Sequence, residues 1–548
     1  MYLPRFSRSL ASALALLAAS PWFAARIDSA ALQAQAVAGV GDDAIPLPSR
    51  GWRISLTGIW DQWDRSLSAD GRTPLLAALA TPSLSSTQLP ALRPVEAGLQ
   101  AMLGGDFALS LGALEARGGV RRASSLLQAE WGITRRVSVG VRVPYVEVVH
   151  DADFVLNRTG SGANVGENPG LRSPQNRINN GSVYVQLVQA SRALGEELAT
   201  CTATPSAPGC ALIAADPAAV QALLNRANTF ADAWRTVYGD GGDALGGPVV
   251  PHVASSAHAA ITTQLAALSG DFSRYGQGSV PTTIPVGASL VYGTTGLQTI
   301  AKDSAFGVNA DTLDRAFRAG VGDVELEARV LLFDSWRANQ AARLSTTRPG
   351  VRVLAAAGWR FGTSSSAQAE QPFALATGDG VNAVLLRATT DLVWKRWAWL
   401  SMSARAVLPQ ADNAVVRFPG VGLPEAFFTS APTAVSRQLG RRLDFEIVPR
   451  VSVRDNIGLS AALVHRTFAS DRYLADGGAT WETPSGSAQF ATLGVTYSTL
   501  APYTRGKARV AVEISLLHEV ALRASGVTVP SLVRDRLELR VYPGFPRR

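Results

Sequence analysis

The feature that most constrains this chain is a period of two, repeated along its length, with charge on one parity and apolar side chains on the other. Asp323-Val324-Glu325-Leu326-Glu327-Ala328-Arg329-Val330 shows it, as do Arg442-Leu443-Asp444-Phe445-Glu446-Ile447 and Arg536-Leu537-Glu538-Leu539-Arg540-Val541. Extended strands send alternate side chains to opposite faces, so each segment has a charged face and an apolar face. In a soluble sandwich the apolar face is a core and the charged face meets water. In a membrane barrel the apolar face meets lipid and the charged face lines a lumen. The number, spacing and ends of the segments separate the two cases.

Twelve segments read as strands, at approximately 51–65, 118–133, 136–150, 319–334, 343–362, 383–396, 398–410, 440–454, 456–469, 487–501, 506–522 and 532–545. An even count is what single-chain bacterial barrels have. Short connections carry Thr134-Arg135-Arg136, Lys395-Arg396-Trp397, Arg454-Asp455-Asn456 and Pro502-Tyr503-Thr504-Arg505-Gly506. Long ones fall near 66–117, 151–318, 363–382, 411–439 and 470–486. Short periplasmic turns alternating with long external loops produce this asymmetry. Trp131, Trp336, Trp394, Trp397, Trp399, Tyr503 and Tyr542 gather near the short turns, and Trp60, Trp63, Tyr145, Trp359, Phe361 and Phe468 near the other ends. Amphipathic rings at both membrane boundaries form such belts. No stretch after the N-terminus offers the roughly 18 apolar residues a membrane helix needs, and a closed barrel is the other spanning architecture. The expected fold is all-β: a transmembrane antiparallel β-barrel of twelve strands within 51–548, carrying a large, partly helical external insert at 151–318.

The N-terminus reads as an export address. Arg5 and Arg8 precede the apolar run Leu10 to Ala19, and Ala34-Gln35-Ala36 resembles a small-residue cleavage site. Residues 1–36 are therefore expected to be a signal peptide, with 37–50 a periplasmic segment and the mature chain in the cell outer membrane of a Gram-negative-type envelope. Export makes a disulfide between the two cysteines, Cys201 and Cys210, the expected state. The formal charge is +8, and removing three Arg and one Asp with residues 1–36 leaves +6. A basic balance suits anionic lipid heads or acidic solutes. The partners expected are outer-membrane lipid, a small-molecule solute and the barrel-assembly machinery, which would read a final strand bearing Leu537, Leu539, Val541 and Phe545. There is no Gly-rich phosphate loop and no basic stripe interleaved with aromatics, so neither a cofactor nor a nucleic-acid partner is expected.

The segment 151–318 leaves the strand register. Asp151 to Asn180 is rich in Asn, Gly, Arg and Pro and reads as loop. Asp216 to Tyr238 reads as a helix, with Asp216 as N-cap, Pro217 at the first helical position and Val220, Leu223, Leu224, Ala227, Ala231 and Trp234 on its apolar face. His258 to Leu268 reads as another. Long loops of this kind are usually functional, and an external lid or a plug in the mouth is expected.

Inward parity assigns Arg53, Arg142, Arg329, Arg352, Arg360, Arg387, Arg405, Arg442, Arg450, Arg509, Arg536 and Arg540 to the lumen. Against them stand Asp61, Glu130, Asp323, Glu325, Glu327, Asp391, Asp444, Glu446, Glu513 and Glu538. Such residues either orient solutes along a channel wall or form a cross-strand ion-pair network filling a narrow barrel. The near balance of sign favours the network for most of them. Of His150, His252, His258, His465 and His518, only the run His465-Arg466-Thr467 puts a hydroxyl two residues away on the same face. With no carboxylate or amide identifiable to orient the histidine, a lipid hydrolase is the least favoured reading, and no enzymatic activity is expected. Asp151-Ala152-Asp153 with Asn157, and Asp240-Gly241-Gly242-Asp243, carry oxygen ligands but fit polar turns better than calcium loops.

The block Glu130-Trp131-Gly132-Ile133-Thr134-Arg135-Arg136-Val137-Ser138-Val139-Gly140-Val141-Arg142-Val143-Pro144-Tyr145 resembles a recurrent hairpin in the outer-membrane proteins associated with the meta-pathway of phenol degradation. Gly320-Val321-Gly322-Asp323-Val324-Glu325-Leu326 and Leu493-Gly494-Val495-Thr496-Tyr497-Ser498 resemble later strands of that family, in matching order across 118–545. The resemblance implies passage of small hydrophobic or aromatic molecules across the outer membrane. From the residues themselves, the expected mechanism is passive diffusion through the charged lumen, gated by the insert. The insert itself goes beyond the family pattern. A non-transporting barrel that displays binding loops is the alternative.

Overall fold

Each of the twelve alternating segments becomes a stave, and the staves close in sequence order into one antiparallel barrel. The computed structural model describes residues 44, 47–159, 162–278, 280–310, 313, 315–335, 349–365, 376–395, 397–416, 432–454, 456–504 and 506–543. The expected signal peptide, Trp336 and the chain end from 544, with Phe545, lie outside them.

The staves are β1 (Trp52–Trp63), β2 (Leu114–Gly132), β3 (Val137–Leu156) and β4, which runs Ala316–Val321 and resumes as Val324–Asp334. They continue as β5 (Gly350–Phe361), β6 (Ala383–Lys395), β7 (Ala398–Pro409) and β8 (Arg442–Arg454). The last are β9 (Ile457–Phe468), β10 (Gly486–Ser498), β11 (Val512–Ser525) and β12 (Val533–Val541). Closure is by β1 on β12, in register from Ile54 opposite Val541 to Gln62 opposite Val533. A closed ring leaves no unpaired edge, the condition for strands in hydrocarbon.

Burial decides between barrel and sandwich, because the polarity is inside out. On β4, β8, β10 and β12 the apolar parity is exposed, with Leu326 at 50%, Phe445 at 49%, Leu493 at 67% and Leu537 at 39%. The charged parity beside it is buried, with Arg329, Asp444 and Glu446 each at 3% and Glu538 at 5%. A water-soluble fold would bury the reverse set. Trp52, Trp131, Trp394, Trp397 and Tyr497 are exposed at the short-turn end, and Trp60, Tyr145 and Phe361 are exposed toward the other. Trp63, Phe468 and Tyr542 depart from the expected belts; all three are buried. Trp399 shares parity with inward Ser401 and Arg405, so it too leaves the belt. Aromatic character near a strand end does not fix a side; parity does.

The fourth stave breaks at Gly322-Asp323, where the Gly322 N–H donates to the Pro144 carbonyl. Proline has no amide hydrogen, so the ladder cannot run through Pro144, and a one-residue shift follows between its pairings above and below. Staves β2 and β3, of 19 and 20 residues, are roughly twice the 9–11 that span a bilayer, and they carry the chain beyond the long-loop rim.

There a helical cap stands. Its helices are α1 (Arg93–Leu103), α2 (Pro174–Ala203), α3 (Ala211–Ala215), α4 (Pro217–Tyr238), α5 (Ser256–Arg274) and α6 (Gly296–Lys302). The α4 helix matches its expected span, with the Asp216 carboxylate accepting from the Ala219 N–H at 2.9 Å. The second expected helix is α5, longer than His258 to Leu268 and capped by Ser255. The expected loop Asp151 to Asn180 is overturned at both ends, where β3 continues to Leu156 and a helix, α2, begins at Pro174. Its Asn and Gly residues are poor helix formers, but here they make tertiary contacts. Asn180 exchanges two hydrogen bonds with the Val286 backbone, each 2.9 Å. At Gly181 a Cβ would come within 2.3 Å of the Gly241 Cα, so only glycine fits. The cap also takes in the long connection after β1, through α1 and buried Leu76, Leu84, Leu89, Leu92 and Leu99.

Cys201 and Cys210 form a disulfide linking the end of α2 to α3. Closing so short a loop constrains the unfolded chain by about 3 kcal/mol. Cys201→Ser with Cys210→Ser is expected to lower cap stability by that amount or less; native-state hydrogen exchange across α2 and α3 checks it, while the staves keep their protection.

Candidate functional site: the barrel lumen

Inside the staves the charged parity is condensed into ion pairs. Glu325 on β4 is a hub. Its carboxylate accepts from Arg360 of β5 at 3.0 Å and from Arg405 of β7 at 2.9 Å, and Arg142 of β3 lies 3.5 Å away. Stave β7 stands three places from β4, so Arg405 reaches across the interior rather than along the sheet. Glu130 on β2 pairs with Arg53 of β1 and with Arg329 of β4 at 3.1 Å, and accepts from the Ser138 hydroxyl at 2.7 Å. Glu327 pairs with Arg329 at 2.7 Å and with Arg387. Arg352, fully buried, lies 3.1 Å from Asp334. Glu538 takes Arg536 at 2.9 Å and Arg540 at 2.7 Å, while Glu513 accepts from the Tyr542 hydroxyl. Arg442 is 3.8 Å from Asp444. Glu446 accepts from Ser403 at 3.3 Å, and Arg450 is half-buried on the same face of β8.

Asp391 is used by the chain's own N-terminal part. Its carboxylate accepts from the Ser401 hydroxyl at 2.7 Å and from the Ala44 N–H at 3.1 Å. Ala44 is fully buried against Leu354 and Ala356, so this residue of the expected 37–50 segment lies inside the wall. Leu47 then packs with Leu500, Ala511 and Tyr542 at the short-turn end.

Arg509 departs from its expected place. Stave β11 begins at Val512, and Arg509 is exposed in the connection before it. The alternation Arg509-Val510-Ala511-Val512 imitates a strand. The chain here is instead turning through Gly506 at φ 69°, a left-handed conformation open to glycine.

Sequence reasoning passed over several partners of the network. Asp61 is held by Arg534 of β12 at 2.6 Å and by Arg122 of β2 at 2.8 Å. Arg534 also reaches Glu519 of β11 at 3.1 Å, and Arg466 of β9 donates to Asp444 at 2.8 Å. Arg122, Arg466 and Arg534 share inward parity, but polar neighbours (Arg121, His465 and Thr467, Asp535) mask the period of two around them.

Toward the long-loop rim the interior turns apolar. Val464 and Phe468 of β9, Ala488 and Phe490 of β10, and Ala521 and Ala524 of β11 are buried. They belong to one continuous hydrophobic core with Trp63, Leu67, Leu75 and Leu76 and with the cap helices. At the rim itself Asp323 accepts backbone N–H groups from Ser364 at 3.1 Å and Asp379 at 2.7 Å. Asp379 in turn meets Arg360 at 2.6 Å.

Burial is the main cause that pushes the Asp379 carboxyl up to about 6, with Asp323 adding to it and Arg360, Arg442 and Arg437 opposing. A folded value above the unfolded one means that folding binds a proton. Its contribution is therefore full below the unfolded carboxylate range and lost as pH rises through about 6. Amide exchange at 376–382, corrected for its intrinsic pH dependence, is expected to be slower at pH 5 than at pH 8. Asp379→Asn should remove the difference.

The other candidate sites do not assemble. The Thr467 hydroxyl donates to the Leu443 carbonyl at 3.4 Å, and the His465 ring has no hydrogen bond among the described residues. Asn157 spends its amide on the Leu111 and Tyr292 carbonyls, each at 2.9 Å. Asp240 accepts from the Gly242 and Ala244 N–H groups and from Arg235, and these bonds, that from Gly242 foremost, hold its carboxyl below the usual range. Asp151 and Asp153 lie on β3 with Asn157 just beyond it, Asp240 sits in a polar turn, and no metal-holding cluster occurs among the described residues.

No family model and no curated protein matches the chain. Among solved structures it is similar to an outer membrane channel from Pseudomonas putida F1 at 8% identity, covering 92% of this chain and 99% of that one, with a TM-score of 0.40. The transport unit of the autotransporter AIDA-I from Escherichia coli is matched at 6% identity over 93% and 94%, with a TM-score of 0.32. The toluene transporter TbuX from Ralstonia pickettii is matched at 9% over 91% and 92%, at 0.27.

Proposed function

We propose that this barrel conducts small hydrophobic or aromatic molecules across the outer membrane by passive diffusion, with the cap and its connecting segments governing entry. One observation carries the reading: the lumen has two zones of opposite character. A belt of mutually neutralised charges crosses the interior between β4 and β7. Beyond it, the inner wall of β9, β10 and β11 is apolar, apart from Arg466 paired with Asp444, and continuous with the cap core. A belt of satisfied ion pairs gives a hydrated ion little to gain on entering, whereas an apolar wall suits an apolar solute. The resemblance to the phenol meta-pathway proteins supports the same solute class. Residues 151–318 act here as a lid whose core must loosen before solute enters. The lumen-facing Arg and acidic residues act as a structural network, with Arg405 and Glu325 joining β7 to β4 across the interior.

The test has two arms. Purified protein in planar bilayers should pass little salt current, and cells carrying it should take up a labelled aromatic such as toluene faster than cells without it. Equal uptake with and without the protein would overturn the proposal. The second reading, a barrel that displays binding loops, is favoured by the cap's own extensive core, and it predicts that equality.

A further inference from the structure

The lipid-facing wall is apolar over most of its height, and one of its polar regions stands on β9, β10 and β11. In β9, β10 and β11 the residues His465, Gln489 and Arg523 stand opposite one another in register. The next rung toward the long-loop end is Thr467, Ser487 and Ser525. All six lie on the outward side, since Val464, Phe468, Ala488, Phe490 and Ala524 between them are buried within. Arg523 keeps this side through a bulge, the register shifting between Gln489 and Phe490.

Their height matters. Gln489 lies eight residues from the exposed ring of Tyr497 at the short-turn end of the same stave, which is about 26 Å along a strand. At a tilt of roughly 40° that becomes about 20 Å along the membrane normal, close to the outer limit of an apolar band about 25 Å tall. Below the two polar rungs the wall is Leu463, Ala491 and Val520, then Leu459, Val495 and Leu516 on lower rungs. Headgroup chemistry therefore sits directly above an acyl-chain surface.

The polar rungs are also unsatisfied by protein. Among the described residues the side chains of His465, Gln489, Ser487, Arg523 and Ser525 make no hydrogen bond or ion pair. Deeper on the same wall, polarity is paired: His518 bonds Asp535 at 2.8 Å. A second cation is close by, since Arg72 donates to the Ala521 carbonyl at 3.1 Å beside the bulge.

We propose that this outward face of β9, β10 and β11 binds the phosphorylated sugar headgroup of an outer-leaflet glycolipid. Arg523 takes the phosphate, aided by Arg72, and cationic donors of this kind are the strong partners of phosphate oxygens. Gln489, Ser487, Ser525 and Thr467 offer donors and acceptors to sugar hydroxyls, with His465 at the edge. The acyl chains lie on Leu463, Ala491 and Val520. Bound glycolipid would brace the wall whose inner face carries the apolar zone of the lumen.

Native mass spectrometry of the full-length protein in detergent, with lipid A as the probe, tests this. The protein should retain one lipid A, and Arg523→Glu should weaken retention by about tenfold or more, as loss of a charge-assisted phosphate contact requires. Arg523→Gln provides the milder variant, and heat-modifiable gel mobility verifies that both barrels are folded. Gln489→Leu with Ser487→Ala should weaken retention several-fold, while Arg192→Glu on α2 leaves it unchanged. The proposal is overturned if dephosphorylated lipid A or phosphatidylglycerol is retained equally. It is also overturned if millimolar inorganic phosphate displaces the lipid, or if folded Arg523 variants bind as the parent does.

Discussion

Replacing Glu325 with glutamine is expected to destabilise the folded barrel by about 3–5 kcal/mol, the cost of breaking a buried ion pair from one side. The arithmetic favours a large effect because one carboxylate serves three guanidinium groups. Arg360 at 3.0 Å and Arg405 at 2.9 Å share its oxygens, and Arg142 is 3.5 Å away. An amide of the same shape keeps part of the hydrogen bonding and removes all of the charge. Three cations are then left in the interior, near enough to repel one another. Urea unfolding in detergent micelles, followed by gel mobility and tryptophan emission, measures the loss. A change below about 1 kcal/mol, the range of exposed pairs, would show that the hub is solvated and would contradict its burial. Arg405→Leu is the complement: it removes a cation together with its desolvation cost, and should destabilise less than the glutamine does.

Trp234→Ala is expected to cost the cap about 3–5 kcal/mol, the range for emptying a buried large aromatic site. The ring is fully buried, stacks on Tyr238 with centroids 4.2 Å apart, and donates its indole N–H to the Asn180 carbonyl at 2.9 Å. It thereby joins α4 to the polar N-terminal half of α2, a helix with little amphipathic pattern of its own. Proteolysis should cut the variant within α2 while the staves stay resistant. A protected α2 would mean that Gly181 and the Asn180–Val286 bonds hold the helix without Trp234. Because the cap core is continuous with the inner wall of β9, β10 and β11, loosening it should also raise solute entry if the cap is the barrier.

Both substituted residues were placed correctly from the residues in order, Trp234 on the apolar face of α4 and Glu325 on the lumen side, but the helix that Trp234 holds was not. Glu325 was legible: its neighbours alternate strictly, so strand, side and sign followed from Asp323 to Val330. The same held along β8 and β12. Legibility failed where both faces are polar, as around Arg122, Arg466 and Arg534, because a period of two needs contrast. It failed again at Arg509, where contrast was present but Gly506 had already turned the chain. In the cap it failed for a different reason. The Asn-rich and Gly-rich start of α2 has a local preference for loop, and contacts with Val286, Gly241 and Trp234, distant in sequence, override it.

What the sequence determined by itself was the staves, their number and their outward polarity. Those depend on the nearest neighbours along a strand and on a solvent that inverts the usual sorting. Which arginine meets which carboxylate was decided only by closure of the ring, since Arg405 and Glu325 are brought together across the interior from non-adjacent staves. The joining of the cap to the inner wall was likewise tertiary, as was the gathering of His465, Gln489 and Arg523 on one rung. Register between strands is set by the pairing of whole staves, and no single segment carries it.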